Sequence, residues 1–259
     1  MSAAPAADDW IVEASGLSKR FSGFAAVSDV DLQVRRHSIH ALIGPNGAGK
    51  TTVFNLITKF LAPSAGRILY NGEDITGESP ARVARRGIVR SFQISAIFPR
   101  MSVADNVRIA LQRPLGTSFH FWKSQCTLDS LRQRVDELLD AVGLVDQREQ
   151  PAAGLPYGRK RALEFATTLA LQPELMLLDE PTSGLGHEDV DRIAELIRKV
   201  SANRTILMVE HNLSVVARLA DTITVLARGR VLAEGPYDRI SADPRVIEAY
   251  IGGADDQRA

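Results

Sequence analysis

At 259 residues and 45% hydrophobic content, the chain is long enough for one large α/β domain with a substantial core. Its 31 basic and 31 acidic side chains cancel, which excludes the global positive footprint of a nucleic-acid-binding protein, and its single cysteine excludes an intrachain disulfide. No run approaches the ~18 apolar residues of a membrane-spanning helix, so any role at a membrane has to come through a partner.

The first nine residues are rich in Ala, Pro and Asp, without a basic region and an apolar core, and read as a disordered lead-in. Ile11–Val12 and Val27–Val34 read as strands. In the second, Val30, Leu32 and Val34 alternate with Asp29, Asp31 and Gln33, the pattern of a half-buried antiparallel strand.

The apolar run Ile39–Ile43 then leads into Gly44-Pro45-Asn46-Gly47-Ala48-Gly49-Lys50-Thr51-Thr52. A helical pattern follows through Val53, Phe54, Leu56 and Ile57. Strand, glycine-rich loop and helix form the context of a phosphate-binding P-loop. Glycines let backbone amides turn toward phosphate oxygens, and the helix N-terminus adds partial positive charge. Lys50 is placed to reach the β- and γ-phosphates, and Thr51 to put its hydroxyl on Mg²⁺. The alternative, a glycine-rich turn with a surface lysine, is the weaker reading. The four fixed positions occur by chance in a chain this long on the order of once in a hundred.

Arg67–Tyr70 with Asn71-Gly72 reads as a strand and tight turn, Ala81–Arg86 as a short helix, and Gly87–Phe92 as a strand ending at Gln93. Residues 94–171 change character. Val103, Val107, Ala110 and Leu111 recur at helical spacing, and an aromatic cluster spans Phe119–Trp122. Leu128 to Val142 gives an amphipathic helix with Gly143 as its C-cap, and another helix begins near Tyr157. The block reads as a helical subdomain.

Strands return at Leu175–Leu178 and Thr205–Val209, both apolar on both faces. Helices are expected over Val190–Val200, Leu213–Ala220 and Val246–Ile251, and a hairpin around Arg228-Gly229-Arg230. Asp179 and Glu180 follow the first of these strands, which is expected beside the P-loop strand, where open α/β sheets bind ligands. Asp179 would hold the Mg²⁺ shell and Glu180 would polarise the attacking water. Alone, the pair could simply start a loop before Pro181.

The order and spacing of these features resemble the nucleotide-binding subunit of an ABC transporter, over roughly residues 11–252. The resemblance implies a P-loop NTPase core sheet with an antiparallel β subdomain and an inserted helical subdomain, within one nucleotide-binding domain over 10–252 and a tail over 253–259. It implies that the nucleotide is ATP. By resemblance Gln93 is the glutamine that touches Mg²⁺, Leu155-Pro156-Tyr157-Gly158-Arg159-Lys160 the signature loop, and Ser183–Gly186 the D-loop. His211 is the switch histidine at the γ-phosphate and Phe21 the aromatic on adenine. Taken singly, Gln93 also reads as a surface strand end, His211 as a helix-terminal residue, and Phe21 as a core aromatic with Phe24 competing for its role. His37, His40, His120 and His187 read as structural or solvated.

The chain departs from the family at three positions: Pro156 stands where serine is usual, Arg159 where glutamine is, and Gly186 where aspartate ends the D-loop. Proline lacks both a hydroxyl and an N–H, but it suits a first helical position. The signature loop is therefore expected to give less to a partner's nucleotide, while the chain's own P-loop stays competent.

Val89-Arg90-Ser91-Phe92-Gln93, Tyr157, Val209-Glu210-His211-Asn212 and the closing Val246–Gly252 are similar to the branched-chain amino acid uptake family. That resemblance implies a second ATPase subunit (a paralogue or another copy), two integral membrane permease subunits and an extracytoplasmic substrate-binding protein. It implies no nucleic acid, and a place on the cytoplasmic face of the inner membrane. Related readings are ATPases of urea, organic-acid or lipid and lipopolysaccharide systems. A soluble P-loop phosphotransferase would not explain the signature-like loop or His211.

Overall fold

A computed structural model describes residues 9–91, 97–112 and 125–255; at 125–130 and 251–255 it describes the backbone. Gln93 and the aromatic cluster at 119–122 lie outside the described residues.

Two sheets organise the chain. The first is antiparallel, in the order β2-β1-β4-β5, from β1 (Trp10–Phe21), β2 (Phe24–Arg35), β4 (Ala65–Tyr70) and β5 (Glu73–Asp74). In β2 the alternation is realised: Val30, Leu32 and Val34 are buried while Asp29, Asp31 and Gln33 are exposed. β1 is far longer than the dipeptide expected, because repeated register shifts against β2 break its alternation into pieces too short to recognise.

The second sheet has the order β10-β9-β3-β8-β7-β6. Its strands are β3 (Ile39–Ile43), β6 (Ile88–Arg90), β7 (Leu175–Asp179), β8 (Thr205–Val209), β9 (Thr222–Ala227) and β10 (Arg230–Gly235). All neighbours pair in parallel except β10 with β9. Every residue of β3, β7 and β8 is buried, which is why these strands read as unbroken apolar runs. The strand carrying Asp179 does not lie beside the P-loop strand; β8 stands between them. Being buried on both faces, the strands carried no signal of lateral order.

The sheet divides the core in two. Ile39, Ala41, Ile43, Met176, Leu178, Ile206 and Met208 face the helices α3 (Val103–Gln112), α4 (Gln125–Ala141), α5 (Tyr157–Ala170), α6 (His187–Ser201), α7 (Leu213–Leu219) and α9 (Pro244–Asp255). Leu42, Leu175, Leu177, Leu207 and Val209 face α1 (Lys50–Ile57) and the antiparallel sheet. The remaining helices are short: α2 (Pro80–Arg85) precedes β6, and α8 (Tyr237–Ser241), unanticipated in the sequence, is little more than one turn.

α4 ends as its sequence requires. Gly143 takes φ +68°, its amide donates to Asp140 O at 3.0 Å, and Leu144 N donates to Leu139 O at 2.8 Å. Leu139 and Leu144 are both fully buried, which completes a Schellman stop.

Candidate active site

The P-loop leaves β3 at Gly44 and enters α1 at Lys50. Two of its glycines are dictated by close approach. A Cβ on Gly44 (φ +147°) would lie 2.1 Å from Leu226 O of β9, and one on Gly49 (φ +102°) 2.7 Å from Ala26 O of β2. The β9–β10 turn closes the loop from the other side: Gly229 N donates to Ala48 O at 3.0 Å, and Ser28 N donates to Gly229 O at 2.8 Å. Pro45 is half-buried, Asn46 and Gly47 form the exposed tip, and Ala48 is buried beneath it.

α1 starts without a side-chain cap and without an acidic residue in its first turn, so its amides and its dipole remain available to an anion. Thr51 and Thr52 stand in that turn, Thr51 exposed. Lys50 Nζ donates to Gly44 O (2.7 Å) and Pro45 O (3.0 Å), which holds the ammonium over the loop. Burial pushes the Lys50 pKa down, opposed by the carboxylates of Glu180 and Asp179.

The carboxyl ends of β7 and β8 bring Asp179, Glu180 and His211 to the same end of the sheet as Lys50. Asp179 closes β7 with a side chain only 4% exposed, paired with the Arg90 guanidinium. Arg90 ends β6, and its Nη1 donates to Asn55 Oδ1 of α1 at 2.5 Å. Sequence reasoning left Arg90 without a role at the site. The available signal was a basic residue ending a buried strand, but its acidic partner lies 89 positions away. Glu180 takes φ +47°, a left-handed conformation that a non-glycine residue holds only when its surroundings enforce it. Here Glu180 N donates to Val209 O (2.9 Å) and Ser183 N to Glu180 O (3.1 Å).

His211 follows β8, with Nδ1 3.9 Å from Glu180 Oε1 and 3.8 Å from Glu210 Oε2. Glu210 was a second omission. It is wholly buried and accepts from His211 N (2.8 Å), Asn212 N (3.1 Å) and Thr182 N (3.2 Å), and from the Thr182 hydroxyl. Four donors on one carboxylate make a buried anion tolerable, and they tie the turn after Glu180 to the segment carrying His211. Asn212 then caps α7, its Oδ1 accepting from Ser214 N and Val215 N.

The signature segment opens α5 and lies against Gly184 and Asp189. A Cβ on Gly158 would stand 2.3 Å from the Asp189 carboxylate, and one on Gly184 3.7 Å from the Tyr157 ring. Leu155 is buried, while half-exposed Tyr157 accepts a hydrogen bond from Arg161 Nη2 at 3.0 Å and carries that guanidinium 5.4 Å from its ring centre. Pro156 is the N-cap of α5 (φ −57°, ψ 158°), not its first helical residue as expected; its carbonyl accepts from Lys160 N at 2.9 Å. Phe21 pairs with Phe24 across a two-residue hairpin tip, both exposed, with Lys19 Nζ 5.2 Å from the Phe21 ring centre.

Among the described residues no group of three or more His, Cys, Asp or Glu side chains could hold a metal ion. The donor chemistry suits a hard cation such as Mg²⁺: the buried Asp179 carboxylate and the Thr51 hydroxyl both offer oxygen, and these two would hold it together with a nucleotide's phosphates.

The family described as ABC transporter matches residues 27–183, and the family described as branched-chain amino acid ATP-binding cassette transporter matches residues 230–256. The chain is 38% identical over 251 residues to the high-affinity branched-chain amino acid transport ATP-binding protein BraF of Pseudomonas aeruginosa, covering 94% of this chain and 98% of that protein. It is 37% identical over 253 residues to the corresponding LivG of Escherichia coli, with the same coverage. The ADP conformation of MJ1267, an ATP-binding cassette of an ABC transporter, superposes with a TM-score of 0.82 at 28% identity, over 94% of this chain and 99% of that one.

Proposed function

The chain belongs to the ABC transporter ATP-binding family and is an ATPase of that kind, and on this premise we propose that it powers an importer of branched-chain or related amino acids. The observation that carries the reading is the convergence of Lys50, Asp179, Glu180 and His211 at one edge of the parallel sheet, on a chain whose last strand and helices match the branched-chain subfamily.

The P-loop amides from Asn46 to Thr52 and the Lys50 ammonium bind the phosphates of ATP, leaving the γ-phosphorus in front of Glu180. Phe21, at its hairpin tip, stacks on adenine. Glu180 takes a proton from water as the water oxygen attacks the γ-phosphorus, ADP departs on the β–γ oxygen, and His211 donates to the γ-phosphate. Thr51, Asp179 and Gln93 would hold Mg²⁺, which would supply neutralisation of the phosphate charge.

The P-loop is half of a composite site. Leu155, Tyr157 and Gly158 serve the nucleotide of a second ATPase subunit, a paralogue or another copy, and its signature segment serves this one. Pro156, without a hydroxyl or an N–H, makes this chain's offering the poorer of the two. Residues 10–252 act as one nucleotide-binding domain, with 94–171 as the helical part that carries motion to two permease subunits. An extracytoplasmic binding protein would deliver the amino acid. No helix among the described residues is long and apolar enough to cross a membrane. Attachment to the cytoplasmic face would run through those permeases. A groove of about 420 Å³, lined by Phe60, Ala84, Arg90, Phe98, Ile109 and Thr168 among others, is the surface that suits a permease helix.

Glu180→Gln tests the reading. It should leave ATP affinity within a few-fold of the native value, lower turnover by about 10²- to 10⁴-fold, and favour an ATP-dependent dimer on size exclusion. Native turnover in that variant refutes the role of Glu180.

A further inference from the structure

Arg90 occupies a place that the ATPase reading leaves unexplained. It pairs with Asp179, the residue read as the metal's carboxylate, and the two side chains are 13% and 4% exposed. Its Nη1 donates to Asn55 Oδ1 at 2.5 Å, and its guanidinium lies 5.8 Å from the centre of the Phe54 ring. Asn55 and Phe54 belong to α1, the helix that begins with Lys50. The arginine is thus anchored to the phosphate-binding element and charge-paired with the metal-binding one. It also lines the groove, which places a single side chain between the two surfaces.

A carboxylate this buried needs a counter-charge, and a divalent cation supplies more of it than an arginine does. The two cannot use the same Asp179 oxygen fully at once, and their like charges repel at close range. We propose that Arg90 is the resident counter-ion of Asp179, competing with Mg²⁺ for that carboxylate and so setting how much Mg²⁺ nucleotide binding requires. Arg90 is then a positioning residue: without the metal it keeps Asp179 neutralised and aimed at the site, and it yields as Mg²⁺ and nucleotide arrive. The inference rests on Asp179 being the metal's ligand, as the proposed function has it.

The experiment is a Mg²⁺ titration of fluorescent ATP-analogue binding to the full chain, with thermal melts in EDTA and in Mg²⁺·ADP. Arg90→Gln should reach half-saturation at about tenfold lower Mg²⁺, equivalent to about 1.4 kcal/mol of lost competition. It should also melt lower in EDTA and gain more than the native chain from Mg²⁺·ADP, because the metal now fills an unmet charge. Arg90→Lys, which keeps a charge without the planar fork, should fall between the two, and carries the test if the glutamine variant does not fold. An unchanged or higher Mg²⁺ requirement in both variants overturns the proposal, since an arginine that only shaped the site would weaken metal binding on removal. Asp179→Asn separates the two levels. If its binding depends on Mg²⁺ as the native chain's does, the assignment of Asp179 fails, and with it the premise.

Discussion

His40 shows what a single residue can owe to its surroundings. It lies inside β3, 1% exposed, with Nε2 2.7 Å from Thr224 Oγ1, and the Thr224 hydroxyl in turn donates to Glu234 Oε2 at 2.5 Å. The hydroxyl has one hydrogen and gives it to the carboxylate, so His40 Nε2 must be the donor in the first bond. Burial pushes the His40 pKa down to about 4 from 6.5. Between those values the unfolded chain binds a proton that the folded chain refuses. Stability is therefore full above about pH 6.5 and is lost as the pH falls toward 4, by about 3 kcal/mol in all. Urea denaturation at pH 7 and pH 5 checks this: His40→Gln should shrink the difference by about 2 kcal/mol, and an equal pH dependence in the two proteins contradicts it. The sequence places His40 in its strand but not against Thr224, because that partner comes from β9.

At the scale of the element, the P-loop separates glycines by cause. Gly44 is needed because β9 leaves no room for a side chain, whereas Gly47 (φ +76°) has nothing within 4 Å of a built Cβ and is needed for conformation alone. Gly47→Ala should therefore cost about 1–2 kcal/mol, the strain of a left-handed alanine, and lower the melting temperature modestly. Gly44→Ala carries that strain and must also displace the Leu226 carbonyl, so its loss should be clearly greater. Similar melting temperatures for the two would show that β9 gives way. Strands β3, β7 and β8 were readable because burial on both faces leaves an unbroken apolar run. β1 was read only over Ile11–Val12, because its bulges interrupt the alternation by which strands are recognised.

At the scale of the whole molecule, the groove beside the helical segment is the feature that faces outward. Phe60 and Phe98 are 53% and 51% exposed there, on a surface that also includes Ile109 and Ala84. Paired large apolar side chains on an open groove mark a docking surface more than a packing defect. The double variant Phe60→Ala, Phe98→Ala should fold and bind ATP as the native chain does, yet lose most of its recovery with the permease subunits from detergent-solubilised membranes. Each aromatic is expected to contribute about 1–3 kcal/mol to that association. Undiminished co-purification removes the groove from the proposed function.

The sequence by itself determined the local grammar: a strand, a glycine loop and a helix at Lys50, a carboxylate pair after one buried strand, a histidine after another. Those features are readable because each depends on residues within a few positions of one another. Only the tertiary structure decided that β8 separates β3 from β7, that Arg90 neutralises Asp179, and that Glu210 joins Thr182 to His211. The Arg90–Asp179 and Thr182–Glu210 pairings span 89 and 28 positions, and a charge carries no local mark of the partner it will meet when the chain is folded.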